Sequence, residues 1–293
     1  MEFKTLIDAA TLQTLIGARP SPPALVILDC RFDLTAPDAG RRAYLAGHIP
    51  TARYVDLNRD LSDPVSAASG RHPLPSPERL AARFEALGIR ERSQVVVYDE
   101  VNGSFAARAW WLLRWLGHTR AAVLDGGMKA WRAAGGTLES GGTIQPSGPE
   151  RGDSGSSSSP RVDPQAVVGS DELAALMQEG RRLLVDARAP ERFAGTVEPI
   201  DPVAGHVPGA VNHPFSANLA GDGRFLPAEE LERRWHERLN GVSPADTIVM
   251  CGSGVTACHN LLALQIAGLP GAKLYAGSWS EWIRDPNRPV ARG

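Results

Sequence analysis

The chain repeats itself at a period of about 155 residues, and this duplication restricts the folds open to it more than any other feature. Val26-Ile27-Leu28-Asp29-Cys30-Arg31 is matched by Leu183-Leu184-Val185-Asp186-Ala187-Arg188. Ala46-Gly47-His48-Ile49-Pro50-Thr51-Ala52 is matched by Ala204-Gly205-His206-Val207-Pro208-Gly209-Ala210. Val96-Val97-Tyr98-Asp99 corresponds to Ile248-Val249-Met250-Cys251, and Gly126 to Trp131 corresponds to Gly277 to Trp282. Solenoid repeats have periods of about 20 to 50 residues, so a repeat this long is a duplicated domain. The expected layout is an N-terminal domain over 1–145, a Gly/Ser-rich linker over 146–160 and a C-terminal domain over 161–293. The run from Glu150 to Pro160, with four consecutive serines, is too polar to bury a core.

Within each half, short apolar runs at 26–29, 95–98 and 121–124, and at 183–186, 247–250 and 272–275, read as strands. They alternate with helix-like stretches at 76–87, 106–116, 170–179, 228–239 and 256–267. Alternating strand and helix predicts an α/β fold, two tandem domains each with a parallel sheet and helices on both faces. The length of 293 residues fits two such domains.

The chemistry concentrates after the strand ending at Met250. Cys251-Gly252-Ser253-Gly254-Val255-Thr256 is a loop of small residues running into an apolar helix. Backbone N–H groups at a helix start favour a thiolate, the nucleophilic form of cysteine. Glycines let the backbone curl around the sulfur, and the C-terminal ends of parallel strands are where open α/β sheets hold ligands. The alternative for Cys251 is a buried structural cysteine. The N-terminal half is an internal control: Asp99 stands at the equivalent position, and a carboxylate cannot carry sulfur, so that domain is expected to be catalytically silent.

These residues resemble the two-domain rhodanese-type sulfurtransferases over the whole chain apart from the linker. The loop spelling Cys-Gly-Ser-Gly-Val-Thr-Ala resembles the 3-mercaptopyruvate sulfurtransferase branch, whereas thiosulfate-using members carry Cys-Arg-Lys-Gly-Val-Thr. The resemblance implies that Cys251 takes a sulfane sulfur from 3-mercaptopyruvate, releases pyruvate and passes the persulfide sulfur to an acceptor. The acceptor would be a thiol, such as thioredoxin or a small thiol, or cyanide. The N–H groups of the loop from Gly252 and Gly254 to Val255 and Thr256 would cradle the sulfur. Thr256 also reads as a helix cap, and Ser253 as either a cap or a site hydroxyl. The resemblance further implies a serine–histidine–acid relay of Ser253 and His72. Its acid falls on Asn58, leaving Asp60 or Asp63 as substitutes. Arg192 matches a substrate-binding arginine of the branch, while a second falls within Glu198-Pro199-Ile200-Asp201 and is missing. Arg188 is a candidate for the donor's carboxylate, against a structural pairing with Asp186 of the kind its counterpart Arg31 suggests.

Other readings are a thiosulfate:cyanide sulfurtransferase and a non-catalytic persulfide carrier. A cysteine phosphatase needs an arginine six residues after its cysteine, and Ala257 stands there. The neutral side chains of Gly252 and Ser253 favour a donor whose charge lies away from the reacting sulfur. A net charge of −2 offers no field for nucleic acid or an anionic membrane. No apolar run approaches the roughly 18 residues of a membrane span, and the start of the chain lacks the pattern of a signal peptide. Cysteines at 30, 251 and 258 form neither a disulfide framework nor a zinc site, which fits a reducing cytoplasm. No metal or organic cofactor is expected.

Overall fold

Runs of aliphatic residues without polar alternation form strands buried on both faces, and such strands assemble as parallel sheets under helices. The structure, a computed structural model, describes residues 2–18, 25–142 and 161–293. The linker expected over 146–160 lies outside the described residues.

The chain forms two units: Met1–Leu61 with Pro75–Asp163, and Ser62–Leu74 with Pro164–Gly293. The segment 62–74 thus departs from the expected boundary. It lies in the N-terminal half of the sequence but packs with the C-terminal unit, held there by Ser280, Ser253 and Asp201.

In the first unit the elements run β1 (Leu6–Ile7), α1 (Ala9–Gly17), β2 (Leu25–Asp29), α2 (Ala39–Ala46), β3 (Arg53–Tyr54), α3 (Pro77–Ala86), β4 (Gln94–Tyr98), α4 (Ala106–Trp115), β5 (Ala121–Leu124) and α5 (Gly127–Ala133). The strands are all parallel, in the order β1-β5-β4-β2-β3. The second unit continues with α6 (Ser170–Glu179), β6 (Leu183–Asp186), α7 (Pro190–Ala194), β7 (Val211–Asn212), α8 (Ala228–Leu239), β8 (Thr247–Met250), α9 (Thr256–Ile266), β9 (Lys273–Leu274) and α10 (Ser278–Trp282). Its parallel sheet has the order β7-β6-β8-β9. The central strands and longer helices lie within a residue or so of their expected bounds. The two-residue strands β1, β3 and β7 and the helices α1, α2, α5, α7 and α10 carry too little periodicity to be read in advance. No helix among the described residues is long and apolar enough to cross a membrane.

Each sheet buries its own core. Ile7, Leu12, Ile27, Val96, Leu124 and Trp131 form the first. Leu173, Leu184, Ile248, Met250, Tyr275, Trp279 and Trp282 form the second. Trp279 and Trp282 are therefore core residues, with indole N–H groups donated to Val203 and Pro289 carbonyls.

The duplicated Asp-x-Arg motif performs the same task twice. Arg188 is 3% exposed, forks onto Asp186 at 2.7 to 3.1 Å, and donates to the Gly205 carbonyl at 2.7 Å. Arg31 forks onto Asp29 and donates to the Gly47 carbonyl at 2.7 Å. Each pair ties the end of a central strand to the Gly-His motif. The histidines complete that corner: His48 stacks on Tyr44 and bonds its carbonyl, and His206 stacks on Phe193 and bonds its carbonyl. Arg188, the candidate for the donor's carboxylate, spends Nε and Nη2 on these partners, and its Nη1 lies 3.5 Å from Glu198. Its guanidinium is committed to a buried carboxylate and lies 4.8 Å over the Trp279 ring.

Removing one member of a buried ion pair leaves an uncompensated charge, at a cost of about 3–5 kcal/mol. Arg188→Ala and Arg31→Ala should each lower the denaturation midpoint by an amount in that range. An Arg188→Ala protein of unchanged stability would instead return Arg188 to the ligand-binding residues.

Candidate functional site

The chain leaves β6 toward β7 on one side of the sheet and leaves β8 toward β9 on the other. A crevice at the C-terminal ends of β6 and β8 follows from that reversal, as in other open parallel sheets. Strand β8 delivers Cys251 to it, and β6 leads through Arg188 to α7, which carries Arg192.

The loop after Cys251 is gripped by the turn that opens α10. Trp279 N–H donates to the Cys251 carbonyl at 3.0 Å, and Ser280 N–H donates to the Gly252 carbonyl at 2.9 Å. The first unit has the same pair of bonds, from Met128 and Lys129 to the Asp99 and Glu100 carbonyls. Between the halves one residue differs in an instructive way. Gly127 has φ 56°, and Ser278, at the corresponding position, holds φ 54°. A non-glycine residue in that region carries a backbone cost of roughly 1–3 kcal/mol. What the serine adds is a hydroxyl, which accepts the Cys251 N–H at 3.0 Å and donates to the Tyr275 carbonyl. Sequence reasoning passed over Ser278, although its mirror position in the repeat was a signal. Gly254, at φ 77°, has no room for a β-carbon, which would collide with the Ala276 carbonyl.

With the Cys251 and Gly252 carbonyls committed to this turn, the next amide is directed at the sulfur. Cys251 is 2% exposed, and Ser253 N–H points at its Sγ from 3.5 Å. Helix α9 starts with Val255 at its N-cap and no side-chain cap. Thr256 takes the first helical position, which corrects the capping role expected of it and leaves the positive end of the helix to the site. The first unit illustrates what such a loop holds. Asp99 Oδ1 accepts N–H bonds from Val101 and Gly103, and Oδ2 from Phe105 and Ala106, at 2.9 to 3.2 Å. Burial pushes that carboxyl up and the four donors pull it back. Cys258 is wholly buried in α9, its thiol 3.3 Å from the Gly254 carbonyl.

The segment 62–74 brings the histidine. His72 Nδ1 and Ser253 Oγ lie 2.8 Å apart, and both residues are buried. Two of the relay residues expected from the sequence are thus brought together. Of the acids considered, Asp60 is engaged by Arg83 and by the Asp56 N–H. The backbone N–H of Asp63 bonds the Pro73 carbonyl at 3.1 Å, which ties Asp63 to the residue after His72. Asn58 is exposed, and its N–H bonds Asp56.

Above the loop stand two guanidinium groups. A β-carbon added to Gly252 would lie 2.9 Å from Arg71 Nη2 and 3.5 Å from Arg192 Nη1. Arg192 forks onto Glu198 at 2.8 to 3.2 Å and reaches Asp201 at 3.1 Å, and Arg71 pairs with Asp201. Burial works against the Glu198 carboxylate, but Arg192 and the N–H groups of Asp201 and Ile200 outweigh it and hold it below its ordinary value. Asp201 is raised, first by burial and also by the Glu198 charge, against the pull of Arg71 and Arg192. The neutral loop side chains expected from the sequence therefore lie beside two guanidiniums and two carboxylates.

A family model described as the rhodanese-like domain matches residues 8–134 and again 170–285. A Pseudomonas aeruginosa protein provisionally named 3-mercaptopyruvate sulfurtransferase is 51% identical over 280 residues, covering 95% of this chain and 96% of its own. A Mycobacterium tuberculosis protein provisionally named thiosulfate sulfurtransferase SseB is 43% identical, covering 99% and 98%. The crystal structure of SseA from Escherichia coli, described as a 3-mercaptopyruvate sulfotransferase with the rhodanese fold, superposes with a TM-score of 0.78 at 34% identity, over 95% of this chain and 100% of that one.

Ser253 and His72 share one buried hydrogen bond, so their removal should not add. In a cycle of Ser253→Ala, His72→Asn and the double variant, unfolding free energies should reveal a coupling of about 0.5–3 kcal/mol. Additivity to within about 0.3 kcal/mol would mean that the bond is absent in solution.

Proposed function

The chain belongs to the family of proteins built on the rhodanese-like domain, and from that membership we propose that it is a sulfurtransferase working through a persulfide on Cys251, with 3-mercaptopyruvate as donor. The observation that carries this reading is the Cys251 loop, in which the Ser253 N–H points at a buried sulfur a few residues before a helix start that no side chain caps. The naming of the Pseudomonas aeruginosa and Escherichia coli relatives supports the choice of donor.

In the first half-reaction the Cys251 thiolate attacks the donor's thiol sulfur. The bond between that sulfur and C3 of the donor breaks, and its electron pair passes into the enolate of pyruvate. A proton delivered to C3 completes pyruvate, and Cys251 is left carrying the transferred sulfur as a persulfide. Ser253, hydrogen-bonded to His72 and two residues from Cys251, is the hydroxyl placed to convey that proton. The loop amides of Gly254, Val255 and Thr256 stabilise the outer sulfur, as the corresponding loop of the first unit holds the Asp99 carboxylate. Arg192 takes the donor's carboxylate, since a planar guanidinium fork matches carboxylate geometry. In the second half-reaction an acceptor attacks the outer sulfur and the Cys251 thiolate leaves. A thiol acceptor, a small thiol or thioredoxin, becomes a persulfide, and cyanide becomes thiocyanate. A reducing compartment such as the cytoplasm suits a thiol used in this way.

Thiosulfate is the second donor to weigh, because two guanidinium groups against Gly252 also suit a compact dianion and the Mycobacterium tuberculosis relative is named for it. The ratio of kcat/KM for 3-mercaptopyruvate to that for thiosulfate decides between them, with cyanide as acceptor. The proposal expects the first to be larger. Cys251→Ser should abolish transfer while leaving stability unchanged, and wild-type protein treated with donor should gain the mass of one sulfur at Cys251. Transfer that survives in Cys251→Ser would end the persulfide reading. A persulfide that forms without turnover on small donors would make the chain a carrier.

A further inference from the structure

We propose that the second unit carries a separate anion site, between the turn after β7 and helix α8, that binds a phosphate group bearing an O–H. The group would be inorganic phosphate or the end of a phosphomonoester.

The site is a cavity of about 450 Å³ with His213 and Ala217 on one wall and Arg233, Arg234 and Arg238 of α8 on the other. Its cations are unequally engaged. Arg233 forks onto Glu230 and reaches Glu237, so its charge is answered on the helix itself. Arg234 spends Nε on Glu230 and Nη1 on the Ala217 carbonyl, which fixes the guanidinium across the cavity and leaves Nη2 unspent. Arg238 makes no ion pair among the described residues. Three arginines against Glu230 and Glu237 leave one positive charge in excess.

The group that points to a ligand is His213. It is 4% exposed, and its ring lies against Trp235 with centroids 4.2 Å apart. A chain of hydrogen bonds settles its tautomer. The Asn260 side-chain amide donates to the His213 carbonyl, so Asn260 Oδ1 accepts from Asn218 Nδ2 at 2.7 Å. Asn218 Oδ1 is then an acceptor, and the Trp235 indole N–H, which can only donate, reaches it at 3.1 Å. His213 Nε2, also 3.1 Å from that oxygen, carries the ring's proton. Nδ1 is left with a lone pair and no partner among the described residues, on a ring that lines the cavity. Burial pushes the imidazole down to about 4 against the pull of Asn218, and the Arg238 and Arg234 charges add to the fall. The ring is therefore neutral near pH 6.

A ligand that satisfies this wall offers a hydrogen-bond donor to Nδ1 and negative charge to Arg234 and Arg238. An ionised carboxylate or a sulfate has acceptors only. A phosphate that keeps a proton has both on one tetrahedral centre, and its oxygens suit guanidinium donors. The cavity is within the size range of small-molecule sites, which leaves room for the rest of an ester.

The experiment is titration calorimetry near pH 6 with inorganic phosphate, glycerol 3-phosphate and sulfate, on wild type, Arg238→Gln and His213→Phe. At that pH inorganic phosphate carries O–H groups and about half of a phosphomonoester carries one. Sulfate carries more charge and no O–H. Phosphate should bind at least about 10-fold more tightly than sulfate, which leaves Nδ1 unpaired. Arg238→Gln should weaken phosphate binding about 10- to 100-fold, and His213→Phe should abolish the preference over sulfate. Arg238 is exposed on α8, so its replacement tests the site without disturbing the core. Tighter binding of glycerol 3-phosphate than of inorganic phosphate would identify an ester as the occupant, and the reverse order free phosphate. Sulfate bound as tightly as phosphate would reduce the site to unspecific charge attraction and overturn the proposal. So would phosphate binding that Arg238→Gln leaves unchanged, because the anion would then sit elsewhere. No readout involves Cys251, so the result stands apart from the sulfur-transfer reading.

Discussion

Everything at the site depends on the two backbone bonds from Trp279 and Ser280 to the carbonyls of Cys251 and Gly252. A peptide group has a donor and an acceptor on opposite sides, so committing the carbonyls of a tight loop outward turns its amides inward. Without that grip the loop would be free to satisfy its own N–H groups, and the sulfur would face side chains. With it, an anion receives a fixed set of dipoles that need no reorganisation when charge arrives. The grip is itself anchored in the core, because Trp279 is wholly buried beneath Arg188. A core indole, a buried ion pair and a nucleophile's loop form one continuous stack.

The duplication shows how little separates the unit with Cys251 from the unit with Asp99. Both units have the strand end, the grip from the following turn, the Asp–Arg pair and the stacked histidine corner. They differ at the cradle's centre, where Asp99 accepts four amides and Cys251 accepts the Ser253 N–H at 3.5 Å. They differ also at the positive-φ position, where a glycine became Ser278 and gained a hydrogen bond to the cysteine's own N–H. Side chains changed while the backbone of the turn was kept. This is the pattern expected when a scaffold is held by packing and its chemistry by a few placed groups.

The fold was legible because its signals are local or repeated. Buried parallel strands read as uninterrupted aliphatic runs, and a motif seen in both halves reads as structural because only one half has a cysteine at the end of its third motif strand, where the other has Asp99. The repeat also paired Arg188 with Arg31, and the structure gives the two matching buried partners. The cysteine loop was legible too, as glycine, serine and a helix start are contiguous. What stayed hidden depends on contacts between distant positions. Ser278 lies 27 residues from Cys251, and Arg71 lies 130 from Asp201. Nothing in the spacing of Ser69-Gly70-Arg71-His72 announces that this segment packs with the unit formed by residues 164–293. Short strands escaped for a simpler reason, as two residues cannot display a period.

The same distance effect explains why the charges around the loop were legible only in part. Gly252 and Ser253 are neutral, and the sequence offered Arg192 as a cation near them but gave no sign of Arg71. The absence of a side chain at 252 is instead what admits two cations, since a β-carbon there would press on Arg71 Nη2. A long basic side chain carried by the loop would be flexible and costly to order, roughly 2 kcal/mol of rotamer entropy for an arginine. Guanidiniums held from outside by Glu198 and Asp201 are already ordered before a donor arrives. A glycine in the loop and arginines on neighbouring elements are therefore two parts of one solution, in which the positive charge is pre-placed and the loop keeps its backbone free for the sulfur.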